Sequence, residues 1–574
     1  MMSRLAIPLC VLASACSGRS GSGSDASGSS GPISFAVVNA RVWTGDRHVP
    51  WAEAIAVSGE RIAAVGMNDD VRRVAAGVTP IDAGGRLVVP GFIDSHVHFV
   101  EGGFRLASVQ LRDAATREAF VTRIAAFAAT IPAGTWITGG DWDHSLWGGE
   151  LPARDWIDTA TPRHPVWVSR LDGHMALANG AALKAAAVTR NTPDVAGGEI
   201  VRRGDGDPTG LLKDNAMALV QRVVPPPSDE MRDRALRAAM THVAAQGVTT
   251  IHNMGTWSDL ATFARARQAH ALTTRVYGVV PLADWERLRD VVSRKEYGGA
   301  DGRGDDWLRV GGLKGFVDGS LGSHTAAFHE PFTDAPRDRG LLVNTPDDLH
   351  RWIAGADGAG LQVIVHAIGD RANGLLLDIF ERVARENGPR DRRFRVEHAQ
   401  HLQAADIPRF AKLDVIPSMQ PYHAIDDGRW AEKYIGDRIR TTYAFRSLLD
   451  AGARMAFGSD WFVAPPTPLE GIYAAATRRT IDGRNPDGWV PEQKISVEEA
   501  LRAYTADAAH ASFDEDRKGT LTPGRFADFV MLDRNIFEIP PEEIRTVRVL
   551  MTFAGGREVF AASPTAAEVR KSGT

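Results

Sequence analysis

The sequence has very little cysteine. Of its 574 residues only Cys10 and Cys16 are cysteines, and both precede the Ser/Gly-rich stretch from Ser17 to Gly31. The remainder of the chain therefore offers no thiol for a disulfide, a thiolate nucleophile or a cysteine-bound metal ion. Any metal ion must be held there by His, Asp, Glu or Lys chemistry.

The chain also lacks a long block of charges of one sign and a long hydrophobic run. Its formal net charge is -5, with 24% charged residues of mixed sign. This pattern gives no indication of nucleic acid or an anionic membrane as a partner. We therefore expect a small-molecule partner. The apolar run from Leu5 to Ala13 is too short to cross a bilayer as a helix.

Residues 1–16 have the parts of a secretory signal: Arg4, the apolar run, and small residues before Cys16. Cys16 resembles a bacterial lipoprotein acylation site, although Ala13 stands where that motif usually has Leu. Residues 17–32 have the composition of a flexible tether. We expect an exported, periplasmic lipoprotein anchored to the membrane only through Cys16. The alternative is cleavage by an ordinary signal peptidase, which gives a freely soluble exported protein.

Both ends of the remaining chain show β patterns. Short β-branched and apolar runs separated by turn residues fill residues 33–88 and again residues 519–562. A sheet built from either end alone would be marginally stable. The two ends are therefore predicted to form one discontinuous β domain, followed by a tail at 563–574.

Between these ends, over residues 89–518, short β-like runs alternate with longer helical patterns. This alternation is typical of βαβ units around a parallel sheet, so the fold class is α/β. Eight strands, the number that closes a TIM-type barrel, are predicted. Their predicted last residues are His98, His252, Val279, Phe316, His366, His398, Gln420 and Asp460.

The interval between the first two barrel strands is too long for a single βα connection. Residues at about 103–235 are therefore predicted to form a folded insertion over the barrel mouth. Its tryptophans, such as Trp142 and Trp156, would suit a substrate lid or the packing of the insertion itself.

Candidate metal ligands lie at the ends of these strands. His96 and His98 are two apart on an apolar strand, so they share a face and offer two imidazole nitrogens. Lys314 interrupts an otherwise apolar strand, where an unpaired ammonium is costly. His366, His398 and Asp460 follow in the same way. Each has a structural alternative, but coincidence does not explain the whole series.

Three motifs carry a family resemblance: Asp172-Gly173-His174, Lys314-x-x-x-Asp318-Gly319-Ser320 and Phe457-Gly458-Ser459-Asp460-Trp461. With the strand-end ligands, the chain resembles the YtcJ-like branch of the amidohydrolase superfamily. The resemblance implies a distorted (β/α)8 barrel, a flanking β-sandwich from both chain ends, and two divalent ions, usually zinc.

The resemblance also implies how the ligands are shared between the ions. His96, His98 and Asp460 would hold the more buried ion, and His366 and His398 the more exposed one. Lys314 would be carboxylated and bridge both. Asp460 would move the proton of the attacking water, and His174 would hydrogen-bond the substrate carbonyl or serve only the structure of the insertion.

The favoured function is an exported, metal-dependent amidohydrolase. It would hydrolyse the C–N bond of an amide, an N-acyl or N-formyl group, or a cyclic amide with metal-activated hydroxide. Alternatives on the same centre are hydrolysis of a lactone, ester or phosphotriester, or an isomerase or hydratase reaction. A lipid-tethered binding protein with a decayed site is the non-enzymatic alternative. A homodimer is compatible with the sequence.

Four further residues receive no catalytic role. His252 and His324 are expected at the pocket wall. Arg170 and Arg275 are expected in surface salt bridges rather than at a substrate carboxylate.

Overall fold

The computed structural model describes residues 31–563. The predicted signal, Cys16 and most of the tail therefore lie outside the described residues. Within 31–563, no helix combines the length and the apolar character that crossing a bilayer requires.

The N-terminal segment forms short strands and one helix. They are β1 (Phe35–Val38), β2 (Arg41–Trp43), β3 (Trp51–Ala52), β4 (Ala54–Ser58), β5 (Arg61–Gly66), α1 (Asn68–Val74), β6 (Ile81–Asp82) and β7 (Leu87–Pro90). The run from Phe35 to Trp43 is two strands rather than one, because Asn39 takes a left-handed conformation with φ 54°. The chain bends there, so β1 and β2 enter different sheets.

The first barrel strand, β8, is followed by the predicted insertion, which has its own sheet. The elements are β8 (Phe92–Val97), α2 (Phe99–Arg105), β9 (Val109–Gln110), α3 (Arg117–Ala128), β10 (Ile137–Trp142), β11 (Val166–Arg170), β12 (Met175–Ala178), α4 (Gly180–Ala185), β13 (Gly198–Arg202), β14 (Pro208–Asp214) and α5 (Ala218–Gln221). The sheet order is β13-β14-β12-β11-β10-β9. Trp142 and Trp156 pack with Phe120 in the core of the insertion. These tryptophans therefore stabilise the insertion and do not form a lid.

The remaining barrel strands alternate with helices. They are α6 (Asp229–Ala244), β15 (Val248–Met254), α7 (Trp257–Gln268), β16 (Arg275–Pro281), α8 (Trp285–Ser293), β17 (Leu308–Phe316), α9 (Pro346–Gly358), β18 (Gln362–Ala367), α10 (Asp370–Asn387), β19 (Arg395–His398), α11 (Ile407–Lys412), β20 (Ile416–Met419), α12 (Pro421–Asp427), α13 (Ala431–Ile435), α14 (Phe445–Asp450) and β21 (Ala456–Phe457). All pairings are parallel, in the order β21-β20-β19-β18-β17-β16-β15-β8. The predicted α/β barrel is confirmed.

The barrel closes where its last strand meets its first. The amide of Asp460 donates to the carbonyl of His96 at 2.7 Å, and the amide of His98 donates to the carbonyl of Trp461 at 2.6 Å. These bonds lie beyond β21, which ends three residues before Asp460, and β8 likewise ends at Val97. His98 and Asp460 thus lie just beyond regular strand geometry at the seam, which is why these two predicted strand ends differ from the observed ones.

The C-terminal segment completes the sandwich. Its elements are α15 (Pro468–Thr477), α16 (Val497–Ala503), α17 (Ala506–His510), β22 (Phe529–Leu532), β23 (Val549–Ala554) and β24 (Arg557–Ala561). The strands from both ends form the sheet β24-β23-β22-β7-β2-β3, which packs on the sheet β5-β4-β1-β6. The shared core includes Val37, Ile55 and Phe529. The predicted sandwich from both chain ends is confirmed.

Candidate metal centre

A cavity of about 230 Å³ opens at the C-terminal end of the barrel strands. Its wall contains every site residue predicted from the sequence: His96, His98, His174, Lys314, His366, His398 and Asp460. These residues come from five barrel strands or strand ends and from the insertion. The fold thus brings together residues up to 364 positions apart between His96 and Asp460.

Buried hydrogen bonds fix which nitrogen of each imidazole remains available. The Nδ1–H of His96 donates to Glu397, and the Nδ1–H of His398 donates to the side-chain oxygen of Gln420 at 2.8 Å. Both rings therefore keep Nε2 as a lone-pair donor. Burial holds the pKa of each ring well below its ordinary value, so both stay neutral.

His366 is held in the opposite sense. Its Nε2–H donates to the carbonyl of Gly319 at 2.9 Å, which leaves Nδ1 as the lone-pair donor. Gly319 is positioned through Asp318, whose buried carboxylate accepts the amides of Ile368, Gly369 and Ala327 at 2.8–3.0 Å. Burial raises the pKa of Asp318 to about 7. The loops after β17 and β18 are thereby tied together beside the ring of His366.

Asp460 supplies an oxygen whose surroundings suit a cation. Its Oδ1 is buried without a hydrogen-bond partner among the described residues, 3.4 Å from His96 Nε2 and 3.3 Å from His98 Nε2. Burial opposes ionisation, but His96 and His98 outweigh it and hold the pKa of Asp460 well below its usual range. A buried carboxylate oxygen left without a donor fits a divalent ion.

The donor atoms of His96, His398 and Asp460 form a compact group. One ligand atom from each lies within 4.8 Å of the others. The group joins residues that the family resemblance assigns to different ions, because the rings of His96 and His398 lie only 5.0 Å apart. A neutral nitrogen pair plus one carboxylate is a donor set that divalent metals accept.

Lys314 lies against this group. Its side chain is 6% exposed, and its Nζ is 3.4 Å from His96 Nε2. Burial lowers the pKa of Lys314 to about 8, although Glu397 and Asp460 oppose the shift. A neutral amine is the form of lysine that can be carboxylated, and it becomes accessible close to neutral pH here.

His174 reaches the cavity from the insertion. Its Nδ1–H donates to Asp214 at 2.6 Å, and its ring lies 5.1 Å from that of His366. Burial lowers the pKa of His174, but the hydrogen bond and charge of Asp214 outweigh it and raise the pKa above its ordinary value. This shift favours protonation of the second nitrogen, Nε2, and in that form the ring would be able to donate to a substrate oxygen.

The backbone of two candidate metal ligands has an unusual conformation. Asp460 and His398 have φ values of 61° and 72°, a left-handed region that disfavours side chains. Gly458 precedes Asp460, and a Cβ at this glycine would lie 2.5 Å from the amide nitrogen of His96. Strained conformations of this kind cluster at functional sites. The close approach at Gly458 explains why the seam carries glycine.

Several supporting residues were missed from the sequence. Glu397 and Gln420 orient His96 and His398, and Asp94 accepts the Ser459 amide at 2.8 Å and the Ser459 hydroxyl at 2.5 Å. Burial raises the pKa of Asp94 to about 7. Their positions beside strand-end ligands were visible in the sequence, but their partners lie on other strands and depend on barrel closure.

The expectations about four other residues are wrong. His252 is buried behind the site, where its Nδ1 accepts from Arg395, and His324 pairs with Asp334; neither lines the cavity. Arg170 and Arg275 are not in surface salt bridges, because they are 2% and 1% exposed. Arg275 pairs with Asp528 at 2.7 Å and joins the barrel to the sandwich.

Comparisons with known proteins agree with this geometry. The model of the amidohydrolase family matches residues 79–560. Protein LONG AFTER FAR-RED 3 of Arabidopsis thaliana is 40% identical over 538 residues, 91% of each chain. Putative amidohydrolase YtcJ of Bacillus subtilis (strain 168) is 30% identical over 493 residues, 84% of this chain and 90% of that protein.

Two further similarities bear on chemistry and fold. The N-substituted formamide deformylase of Arthrobacter pascens is 29% identical over 545 residues, 91% of this chain and 97% of that protein. An uncharacterized metal-dependent hydrolase from Pyrococcus horikoshii OT3 has a crystal structure that superposes with a TM-score of 0.70 and 26% identity. The superposition covers 88% of this chain and 99% of the Pyrococcus chain.

Proposed function

Because this chain belongs to the amidohydrolase family and its YtcJ-like branch, we propose that it is a metal-dependent hydrolase that cleaves a C–N bond. The bond is that of an amide, an N-acyl or N-formyl group, or a cyclic amide. The observation that carries the proposal is the unpartnered, buried Oδ1 of Asp460 beside His96 and His98 in the cavity wall.

Six side chains of the cavity are proposed to hold the metal ions. His96, His98, His366, His398, Asp460 and a carboxylated Lys314 would hold two divalent ions, for which zinc suits the imidazole-rich donors. When bound, such ions lower the pKa of a coordinated water and polarise a carbonyl oxygen.

Asp460 and His174 act on the substrate itself. Asp460, ionised throughout the neutral range, accepts the proton of the attacking water and returns it to the leaving nitrogen. His174, protonated against Asp214, donates a hydrogen bond to the oxygen on which negative charge develops. Neutral Asn at 460 would remove the proton acceptor while keeping an oxygen near the ions.

The choice of a C–N bond draws support from the relative named as a formamide deformylase. An ester, a lactone or a phosphotriester remains the alternative on the same centre, because barrels of this kind change substrate through their loops. A decayed binding protein is disfavoured, since all six ligand positions carry chemically competent side chains.

The test combines metal analysis with a substrate panel. The protein is produced without residues 1–16 in cells grown with zinc and bicarbonate. It is expected to hold close to two ions per chain and to hydrolyse a formamide or amide. D460N is expected to keep at least one ion and lose nearly all turnover. Turnover of esters or lactones alone would favour the alternative, and a metal-free, inactive wild type would overturn the proposal.

We further propose export and lipidation at Cys16, which lies outside the described residues. The support is the order of Arg4, the apolar run and small residues before this cysteine. In a bacterial host, wild type is expected in the membrane fraction, starting at lipid-bearing Cys16. Cys16→Ser should lose the lipid, whereas Cys10→Ser should keep it. Detection by mass spectrometry of cytoplasmic protein with an intact, uncleaved N-terminus would contradict export.

A further inference from the structure

We propose that one side of the cavity, formed by α12, binds a protonated amine on the leaving half of the substrate. We call this side the amine subsite and define it as His423, Asp426 and Asp427. The inference rests on the proposed function, because it names the substrate class of the same cavity.

The subsite is placed beside the metal centre by the fold. Helix α12 starts directly after β20, so it lies over the C-terminal end of the barrel. His423, Asp426 and Asp427 are three and four residues apart and therefore share a helix face, which lines the cavity. The ring of His423 lies parallel to that of His398, with 6.3 Å between centroids and 10° between planes.

Two polar groups of the subsite lack partners. The Nε2 of His423 is buried and makes no hydrogen bond with residues 31–563. Asp426 is 9% exposed; its Oδ1 pairs with Arg429, whereas its Oδ2 accepts no hydrogen bond from the described chain. A buried polar atom such as His423 Nε2 is normally satisfied, and a ligand with N–H donors would complete both this nitrogen and the open Oδ2 of Asp426.

The charges of this part of the wall are unbalanced. The carboxyl groups of Asp143, Asp172 and Asp426 meet the guanidinium groups of Arg170 and Arg429. Asp427 is left out of this balance, because burial raises its pKa to about 7 and favours its neutral form. Both cations are already engaged: Arg170 with Asp172 at 2.6 Å, and Arg429 with Asp426 and with Asp143 at 3.2 Å. An excess of carboxyl groups attracts a cation and disfavours a substrate carboxylate.

The neighbouring carboxyl group is held in place rather than free. Asp427 Oδ2 accepts from the Tyr443 hydroxyl at 2.6 Å and from the Gln400 amide at 2.8 Å. Asp427 Oδ1, like Asp426 Oδ2, accepts no hydrogen bond from the described residues, so each carboxyl group keeps one open acceptor. Asp426 lies about one helical turn, roughly 5 Å, beyond His423, a distance that a chain of about four atoms spans. The geometry points to an N-acyl or N-formyl amine with a second, protonated nitrogen on a short aliphatic tail.

The test compares three formamides of similar length on the metal-loaded chain: N-formyl-1,4-diaminobutane, N-pentylformamide and N-formyl-4-aminobutanoate. We expect kcat/KM to be about tenfold or more higher for the ammonium tail than for the neutral tail, and lowest for the carboxylate. A factor of this size follows from one charge-assisted hydrogen bond.

D426N should bring the ratio of ammonium to neutral substrate close to one. D69N removes the same charge from the exposed face of α1 and should leave the ratio as in wild type. Equal rates for the three tails, a preference for the carboxylate, or an unchanged ratio in D426N would overturn the subsite. The wild-type ratio alone decides the matter if D426N fails to fold.

A binding measurement separates this proposal from the proposed function. If the chain is inactive on the whole amide and formamide panel and holds no metal, the proposed function fails, and calorimetry with 1,4-diaminobutane and butylamine still tests the subsite. Tighter binding of the diamine to wild type than to D426N would support it. Equal or absent binding of the two amines to wild type would overturn it.

Discussion

At the scale of single residues, Lys314 presents the sharpest physical conflict. A buried ammonium beside three imidazoles is costly, and burial already lowers the pKa of Lys314 to about 8. Carboxylation would convert that cation into an anionic oxygen ligand and remove the conflict. The lysine side chain would thus destabilise the metal-free protein, whereas its carboxylated form would suit the metal-bound site.

Lys314→Ala should therefore lose one of the two ions and most activity. Adding acetate or formate is expected to restore part of both, because a small carboxylate can occupy the vacated bridge. Elemental analysis and turnover measure the two effects. Lys184→Ala, which removes an exposed lysine from α4, is the control. A full metal complement in Lys314→Ala would rule out a bridging role.

Glu397 illustrates a residue that acts through another. It accepts the Nδ1–H of His96 and forms an ion pair with Arg395 at 2.8 Å, both side chains being fully buried. The ring orientation of His96 therefore depends on a carboxylate that does not line the cavity. Partners of this kind commonly change metal affinity by about 10–100-fold.

Glu397→Gln is expected to weaken zinc binding by about tenfold or more, because the charge that faces both His96 and Arg395 is lost. Titration against a competing chelator measures the affinity directly. Glu118→Gln, on the exposed side of α3, should leave it unchanged. Wild-type affinity in Glu397→Gln would show that Glu397 serves folding alone.

At the scale of elements, the loop between β11 and β12 connects the insertion to the barrel. Asp172 accepts the hydroxyl of Ser323 at 3.1 Å and that of Ser320, and it pairs with Arg170 at 2.6 Å. Burial opposes ionisation of Asp172, but Arg170 outweighs it and lowers its pKa to about 2. This anchor fixes the loop that carries His174.

Asp172→Asn should lower kcat by about tenfold while the metal content stays at the wild-type level, because His174 loses its fixed position. Asp205→Asn, in an exposed turn of the same insertion, provides the control. Steady-state kinetics with parallel metal analysis separates the loop effect from damage to the ions. An unchanged kcat in Asp172→Asn would show that this loop does not contribute to catalysis.

The same scale shows what the sequence could predict. The barrel followed from alternating strand and helix patterns, and the ligands were found because His, Lys and Asp ended apolar runs such as Val363 to His366. The sheet of the insertion was not predicted, since it depends on pairings such as Met175 with Lys213, 38 residues apart. His252 was misplaced for a related reason: Arg395 occupies the space beside it.

At the scale of the whole molecule, the candidate metal centre lies where the barrel closes. The first strand and the last meet through backbone bonds at His96 and Asp460, and both residues also belong to the group that could hold a metal ion. Ions held there would tie together β8, β17, β18, β19 and the end of the chain's last barrel strand. Arg275 and Asp528 meanwhile fix the sandwich to the same barrel.

Removing the metal should therefore destabilise the entire chain and not only the cavity. A ligand present at about 1,000 times its Kd stabilises the folded state by about 4 kcal/mol, so chelation is expected to lower Tm by several degrees. Calorimetry of metal-loaded, chelated and zinc-restored protein measures the shift, and zinc should restore it. Coincident melting of the loaded and chelated forms, with metal loss verified, would mean that closure of the barrel does not depend on the ions. Metal binding would then affect only the ligand side chains and not the stability of the fold. The backbone bonds between His96 and Asp460 would suffice to hold the first and last barrel strands together.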